Sequence, residues 1–350
     1  MLELLGEANA VALIGLFGGI VLGLAARIGR FCTLGAIEDV LYGSDDRRLR
    51  MWLIAIGVAI IGTHIAMSLG MFDASEAAYL DRAWNPAGTI IGGLMFGYGM
   101  ALSGNCGYGA LARLGGGDLR SFVIVLVMGL SAYFVMSGPL AHLRVMLFPV
   151  ETGASSAQGF TQLFEGFGIA PLVTGLAVGS ALLTWAISSA DMRRAPGHLF
   201  WGGVVGIAIV SGWVGTYWVA VTGFEAEPIE THTFAAPIGD TIFYSMTASG
   251  NALSFSVGSV LGVVIGAALG SYSKGHFRWE ACEDPRELRR QIMGAALMGP
   301  GAILAVGCSV GQGISAFSVL AFSAPLAFLA IFIGAAVGLR QLITGFALAE

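Results

Sequence analysis

Nine stretches of the chain are almost wholly apolar: 9–28, 50–71, 86–104, 119–137, 170–190, 198–222, 251–273, 288–306 and 322–347. The charged positions collect in the segments between them. Each stretch has roughly the 20 residues that an α-helix needs to cross about 30 Å of hydrocarbon. The pattern predicts an all-α polytopic membrane protein of about nine transmembrane helices. It is a single membrane domain over residues 1–350, with almost nothing left for a soluble one. The opening MLELLGEANA lacks the basic n-region of a cleaved signal peptide, so the first span is expected to stay in the mature protein.

Composition agrees and adds orientation. Hydrophobic residues make up 56% of the chain and charged residues 11%, with mean hydropathy +0.81, against roughly 25% charged in soluble domains. Lys and Arg concentrate in short cytoplasmic loops. Of the 17 present, all but Arg82 and Arg144 fall on one side of the nine-span arrangement, including Arg47, Arg48 and Arg50, Arg113 and Arg120, Arg193 and Arg194, and the run from Lys274 to Arg290. The opposite loops hold Asp73, Glu76, Asp81, Glu151, Glu165, Glu225, Glu227, Glu230 and Asp240. The N-terminus is then outside and Glu350 inside. The net charge of −5 says little about partners, since its acidic excess sits on the outer loops and no basic patch suits nucleic acid.

Two glycine-rich stretches interrupt the apolar pattern, SGNCGYGALARLGGG (103–117) and AVGCSVGQGISAFS (305–318). Gly97 and Gly99 stand nine and seven residues before Cys106, with Gly109 three after; Gly299, Gly301 and Gly311 stand likewise around Cys308. The shared pattern is G-x-G-x6-C-x2-G. A weaker echo links Gly19 and Gly23 to Gly258, Gly262 and Gly266. On the charge-derived topology Cys106 follows a span running inward and Cys308 one running outward. The sequence thus predicts two inverted repeats, over about 9–150 and 170–347, an architecture of transporters with a site at the repeat interface.

Most of the 53 glycines read as packing, because G-x-x-x-G series let membrane helices approach closely. Gly104, Gly107 and Gly109, and Gly307 and Gly311, are too dense for one helix face and are expected to break the helix beside Cys106 and Cys308. Non-helical backbone at membrane depth is tolerated only when buried in protein or lining a cavity. Such breaks free N–H groups and aim the N-terminus of the next helix at the gap, a geometry that binds anions. GYGALA fits a loose dinucleotide fingerprint, but no strand precedes it and Asp118 comes too early. No C-x-x-C or Cys/His pair has metal spacing, so neither metal nor cofactor is expected. Cys32, flanked by Arg27 and Arg30, is a third membrane-depth cysteine, whereas Cys282 in WEACEDPRE reads as an ordinary solvated thiol. A membrane cysteine can be a small packing hydrophobe. Its soft, polarizable sulfur also suits a substrate that presents sulfur or selenium.

Taken together, RFCTLGA, GLMFGYGMALSGNCGYGALARLGGG and GPGAILAVGCSVGQGISAFS resemble the three cysteine motifs of the YeeE/YedE membrane family, whose best-understood members import thiosulfate. The resemblance covers nearly the whole chain. It implies a nine-span inverted-repeat fold with short re-entrant helices, pinched like an hourglass in a bacterial inner membrane. Cys32, Cys106 and Cys308 would be strung along the substrate path. Asn105 stands where many members have glycine, and its amide would add a hydrogen bond beside Cys106. The implied cargo is thiosulfate or a related sulfur anion. The implied partner is a cytoplasmic sulfurtransferase-type carrier docking on basic inner loops. A selenium or other sulfur species as cargo, or a scaffold or sensor for such a carrier, are the alternatives.

The chemistry suits that resemblance. A dianion cannot enter low dielectric without replacement donors, and glycine-loop amides supply them without the deep trap of buried lysines; conduction needs release as well as capture. Thiols would pass the terminal sulfur between S–H donors, or a thiolate would attack it and carry a persulfide. Burial in apolar surroundings disfavours the thiolate and so favours the first route. Gln312 and Arg30 are further candidates for the path, while Arg27, Arg30 and His64 also admit snorkelling or packing roles. The segment from Phe224 to Asn251, with two prolines and four acids, reads as an outer vestibule cap or a tether.

Overall fold

Lipid offers the backbone no hydrogen-bond partner, so the apolar runs fold as helices that satisfy themselves. The computed structural model describes residues 6–149, 158–225, 227–281 and 284–345; Glu151, Cys282 and Glu350, and the roles read for them, lie outside these residues. In chain order the main helices are α1 (Glu7–Arg27), α2 (Thr33–Glu38), α3 (Arg47–Ser68), α4 (Pro86–Ser103), α5 (Gly107–Gly115) and α6 (Leu119–Met136). They continue as α7 (Pro171–Ser188), α8 (Pro196–Thr222), α9 (Ala236–Thr247), α10 (Phe255–Ser273), α11 (Pro285–Leu304) and α12 (Ser323–Thr344).

Among the described residues eight helices are long and apolar enough to cross a membrane, α4 and α5 counting together as one. The ninth predicted span is α11. Its first turns carry Arg286, Glu287, Arg289 and Arg290, which leaves it short of the apolar length of the others, although it packs on α4 and α6 inside the bundle. Large apolar side chains such as Phe17, Phe134, Trp185, Ile207 and Leu329 stay exposed on the helix faces, as expected of surfaces that meet acyl chains rather than water. The chain is a multi-pass membrane protein.

The helix contacts explain most of the glycine. On α1 and α10, Gly15, Gly19 and Gly23 interlock with Gly258, Gly262 and Gly266, and a Cβ at any of them would collide with the backbone of the facing helix. Gly99 of α4 and Gly294 of α11 meet in the same way, each 2.5 Å from the other's carbonyl oxygen were a Cβ added. Packing of small residues replaces the hydrophobic drive that lipid cannot supply.

Depth along the bundle can be read from α10. Ser256, near its start, donates to Glu230 (3.4 Å), and Ser271, near its end, accepts from Arg27 Nε (2.6 Å). At 1.5 Å per residue these levels lie about 22 Å apart. Arg27, Arg113, Asp118, Arg120, His276 and Glu280 gather at one end around a recess of about 170 Å³. Arg82, Arg144 and Glu230 line a cavity of about 480 Å³ at the other end. Between them, residues 229–235 leave the surface and thread into the core, where Thr231, His232 and Phe234 are buried. The 229–235 part of the segment read as a cap or tether therefore lies in the core, while Phe224, Met246 and Asn251 stay exposed.

Candidate functional site

All three membrane-depth cysteines sit at the same kind of helix break. Each caps the N-terminus of a helical segment, and its Sγ accepts the backbone N–H of the glycine three residues on: Cys32 from Gly35 (3.5 Å), Cys106 from Gly109 (3.4 Å) and Cys308 from Gly311 (3.5 Å). The residue two before each cysteine is left-handed: Arg30 (φ 56°), Gly104 (φ 78°) and Val306 (φ 57°). The shared unit is thus a left-handed turn, any residue, Cys-x-x-Gly, helix. Glycine takes that turn without strain at Gly104; Arg30 and Val306 adopt it at a cost of about 1–2 kcal/mol. C-x2-G was visible in FCTLGA, but the non-glycine turns carry no signature in the sequence.

The surroundings differ. Cys308 and Cys106 are buried, Cys32 half-buried. Cys308 Sγ also accepts the N–H of Phe234 (3.3 Å) and lies 3.6 Å from the Thr233 hydroxyl. These two residues come from the inserted segment, which sequence reasoning did not connect to the cysteines. A close approach makes this possible: a Cβ on Gly311 would stand 2.5 Å from Thr233 Oγ1 and 3.1 Å from the Tyr79 hydroxyl. Cys106 lies within electrostatic reach of both Cys32 and Cys308, with the Ser309 hydroxyl beside its thiol. An aromatic cluster encloses the three breaks: Trp52 stacks on Phe31 (4.5 Å between centroids), and Tyr108 meets both Phe31 (6.5 Å) and Phe234 (5.2 Å).

The levels of the cysteines follow from their neighbours. The Tyr108 hydroxyl donates to the Leu22 carbonyl (2.5 Å), five residues before Arg27, which sets the Cys106 break near the recess lined by Arg27 and Arg113. Arg113 itself donates to the Gly104 carbonyl (3.4 Å). Cys308 lies higher, beside Thr233 and Gly307, both of which line the 480 Å³ cavity. Thr33, Asn105 and Ser309 each adjoin one cysteine in sequence; the buried side-chain polar atoms of Thr33 and Asn105 have no partner among the described residues, and the Ser309 hydroxyl has only the Cys106 thiol beside it. Buried polar groups are rarely left unpaired, so the unpaired atoms here are available to bond a polar guest.

Other sequence candidates are placed differently. Gln312 is buried, but its Nε2 donates to Ala305 (2.7 Å) and Val306 (3.1 Å), and its Oε1 accepts from Ser323 (3.1 Å). Its amide braces the turn before Cys308. Arg30 is exposed, contributing the left-handed backbone before Cys32. A Cβ on Gly107 would press on Met128 and the Phe234 carbonyl oxygen, so this glycine seats α5 against the inserted segment. His64 has its Nδ1 2.8 Å from the Ile60 carbonyl oxygen and its Nε2 3.1 Å from Thr161 Oγ1, as a packing histidine does. Among the described residues no cluster of His, Cys, Asp and Glu could hold a metal ion.

The family profile for sulphur transport matches residues 28–337, which include all three cysteine breaks. The chain belongs to the sulphur-transport family. Two curated relatives carry the name thiosulfate transporter TsuA. The one from Spirochaeta thermophila is 25% identical over 329 residues, covering 91% of this chain and 96% of the relative. The one from Escherichia coli is 26% identical over 326 residues, covering 87% of each. As a member of the sulphur-transport family the chain is a transporter rather than an enzyme.

Proposed function

We propose that this protein imports thiosulfate, or a closely related sulfur anion, across the bacterial inner membrane, with its N-terminus outside and its C-terminus inside. One observation carries the reading: three cysteine breaks share one Cys-x-x-Gly cap, Cys106 lies within electrostatic reach of the other two, and each cysteine is followed or preceded by a buried polar side chain, Thr33, Asn105 or Ser309. Cargo would pass from the Glu230 cavity to Cys308, then Cys106, then Cys32. The two relatives named thiosulfate transporters support the cargo. The two cysteine-bearing halves, about 9–150 and 170–347, act as inverted repeats meeting at this path.

The geometry suggests how the thiols work. A glycine N–H donates to each sulfur, holding it in place and leaving its S–H hydrogen free to point elsewhere. That hydrogen is donated to the terminal sulfur of the anion, while Asn105, Ser309 and Thr33 serve its oxygens. Gly104 and Gly307 form the open turns beside it, and Gly107, Gly109 and Gly311, in the helical segments that follow, add no side chain to the path. Since S–H is a weak donor, no single station holds the anion long. A cytoplasmic sulfurtransferase then takes the reactive sulfur at the basic end.

Uptake of labelled thiosulfate, sulfite, sulfate and a selenium analogue by cells expressing the chain tests the reading. Thiosulfate uptake that exceeds the others and fails with Cys106→Ala is expected. Expression without uptake of any of them would remove import and leave the scaffold alternative.

A further inference from the structure

The cavity of about 480 Å³ above Cys308 holds Arg82 and Arg144, the two basic residues that stand apart from the basic end of the chain. Among the described residues neither forms an ion pair, and Arg144 Nε is buried without a hydrogen-bond partner. Some arginines elsewhere are paired among the described residues, Arg48 with Asp39, Arg50 with Asp46, and Arg120 with Asp118, Glu280 and Glu287, whereas others, Arg290 included, are not. Unpaired guanidinium groups in a concave site match the flat, multi-oxygen face of an oxyanion. The cavity floor is Thr233 and Gly307, in contact with or adjacent to Cys308.

One wall of this cavity is an acid. Glu230 is pinned by its backbone, its N–H donating to Thr216 Oγ1 of α8 (3.3 Å) and its carbonyl accepting from the same hydroxyl (2.9 Å). This fixes the Glu230 backbone beside the cavity, and Ser256 donates to its carboxylate (3.4 Å). Its neighbours are Ser256 of α10, which donates to it; Asp240 of α9, which accepts from Tyr133 of α6 (2.5 Å); Glu227 in its own segment; and Tyr79, Arg82 and Arg144 across the cavity. A carboxylate here would repel the anion that the arginines attract.

We propose that this cavity is an anion-capture site in which Arg82 and Arg144 hold the oxyanion's oxygens, and that Glu230 must be protonated for the anion to enter, so that capture takes up a proton. This rests on the import reading for its direction and its cargo. Burial pushes the Glu230 carboxyl up to about 7, with Asp240 and Glu227 adding to the rise. The acid is therefore half protonated near neutrality, and a nearby dianion raises its proton affinity further. By linkage, whatever favours the protonated form favours the bound anion, and the reverse holds equally.

The test uses the full chain in cells and, separately, purified in detergent. Thiosulfate uptake by wild type is expected to fall about tenfold as external pH rises from about 6 to about 8, following the neutral fraction of a group titrating near 7. Glu230→Gln, which keeps a partner for Ser256, is expected to transport equally across that range. Arg82→Gln combined with Arg144→Gln is expected to raise the apparent KM at least about tenfold with the maximal rate kept. In lightly buffered detergent solution near pH 7, thiosulfate added to wild type should consume protons, and added to Glu230→Gln should not. A Glu230→Gln variant with the wild-type pH slope and proton uptake, or an unchanged KM in the arginine pair, overturns the proposal. Proton-linked binding in a chain that imports nothing would instead overturn the transport reading and leave this site standing.

Discussion

Gly311→Ala offers a direct test of whether the inserted segment is held against Cys308 by the absence of a side chain. The new Cβ would lie 2.5 Å from Thr233 Oγ1 and 3.1 Å from both Thr233 Cβ and the Tyr79 hydroxyl, where ordinary contact begins at 3.4 Å. Thr233 must retreat by about 1 Å, since overpacking of this kind is relieved by shifting the neighbour. Phe234, the next residue, moves with it and draws its N–H away from Cys308 Sγ, now 3.3 Å off. Overpacking costs about 1–3 kcal/mol and the lost hydrogen bond about 0.5–1.5 kcal/mol. The combined cost of about 1.5–4.5 kcal/mol, at about 1.4 kcal/mol per tenfold, should lower the melting temperature in detergent and reduce uptake by at least about tenfold. Thr233→Ala removes the colliding oxygen, so Gly311→Ala should cost far less in that background than in wild type. Uptake and melting like wild type in Gly311→Ala alone, or a penalty undiminished by Thr233→Ala, would refute the argument.

The same geometry sets three further expectations. Cys106→Ala and Cys308→Ala should fold and reach the membrane but transport poorly, while serine at either position should keep partial uptake; complete loss in both serine variants with normal expression would point to a persulfide route instead of S–H donation. Charge reversal at Arg286, Arg289 and Arg290, the first two of them exposed, should lower uptake in cells that depend on a sulfurtransferase carrier and leave substrate binding intact; unchanged uptake removes this docking face. Single cysteines introduced at Phe224 or Asn251, both exposed, should react with an impermeant reagent outside intact cells, whereas one at Lys274 should not; the opposite pattern reverses the assigned orientation.

Much of this was legible because lipid imposes simple rules. Apolar runs of about 20 residues had to be helices, and G-x-x-x-G series had to be contacts, as α1 and α10 show. Of the glycines around Cys106 and Cys308, Gly104 and Gly307 do lie in the breaks, whereas Gly107, Gly109 and Gly311 belong to the helical segments that restart after them, where Gly107 and Gly311 let neighbouring elements approach. The Cys32 break was harder to recognise as equal, because its left-handed turn falls on Arg30 and a neighbour-dependent strain leaves no residue type to read. The 229–235 insertion was invisible for another reason. Glu225, Glu227, Pro228 and Glu230 look like a solvated loop, and only tertiary contacts draw the next residues into the core, such as Thr231 donating to Ile209 (2.7 Å) and Ser315 donating to the His232 carbonyl (2.8 Å). Gln312 shows the converse. Its position beside a glycine break suggested a path-lining amide, yet the break itself has carbonyls to satisfy, and the nearest amide serves them.

The cysteines alone give no direction to transport, because each break is built the same way. What differs is the state of the cations at the two ends. In the cavity above Cys308 neither Arg82 nor Arg144 forms an ion pair among the described residues, so once Glu230 is neutral an anion arriving there meets their positive charge. In the recess beyond Cys106 the guanidinium groups are already spoken for: Arg27 donates to Ser271 and to the His276 carbonyl (3.3 Å), Arg113 to the Gly104 carbonyl, and Arg120 faces Asp118, Glu280 and Glu287. An anion reaching that end must compete with bonds already made and is held weakly. On the proposed orientation this asymmetry places firm capture outside and easy release inside, with weak S–H donors between them that neither trap the anion nor leave it bare.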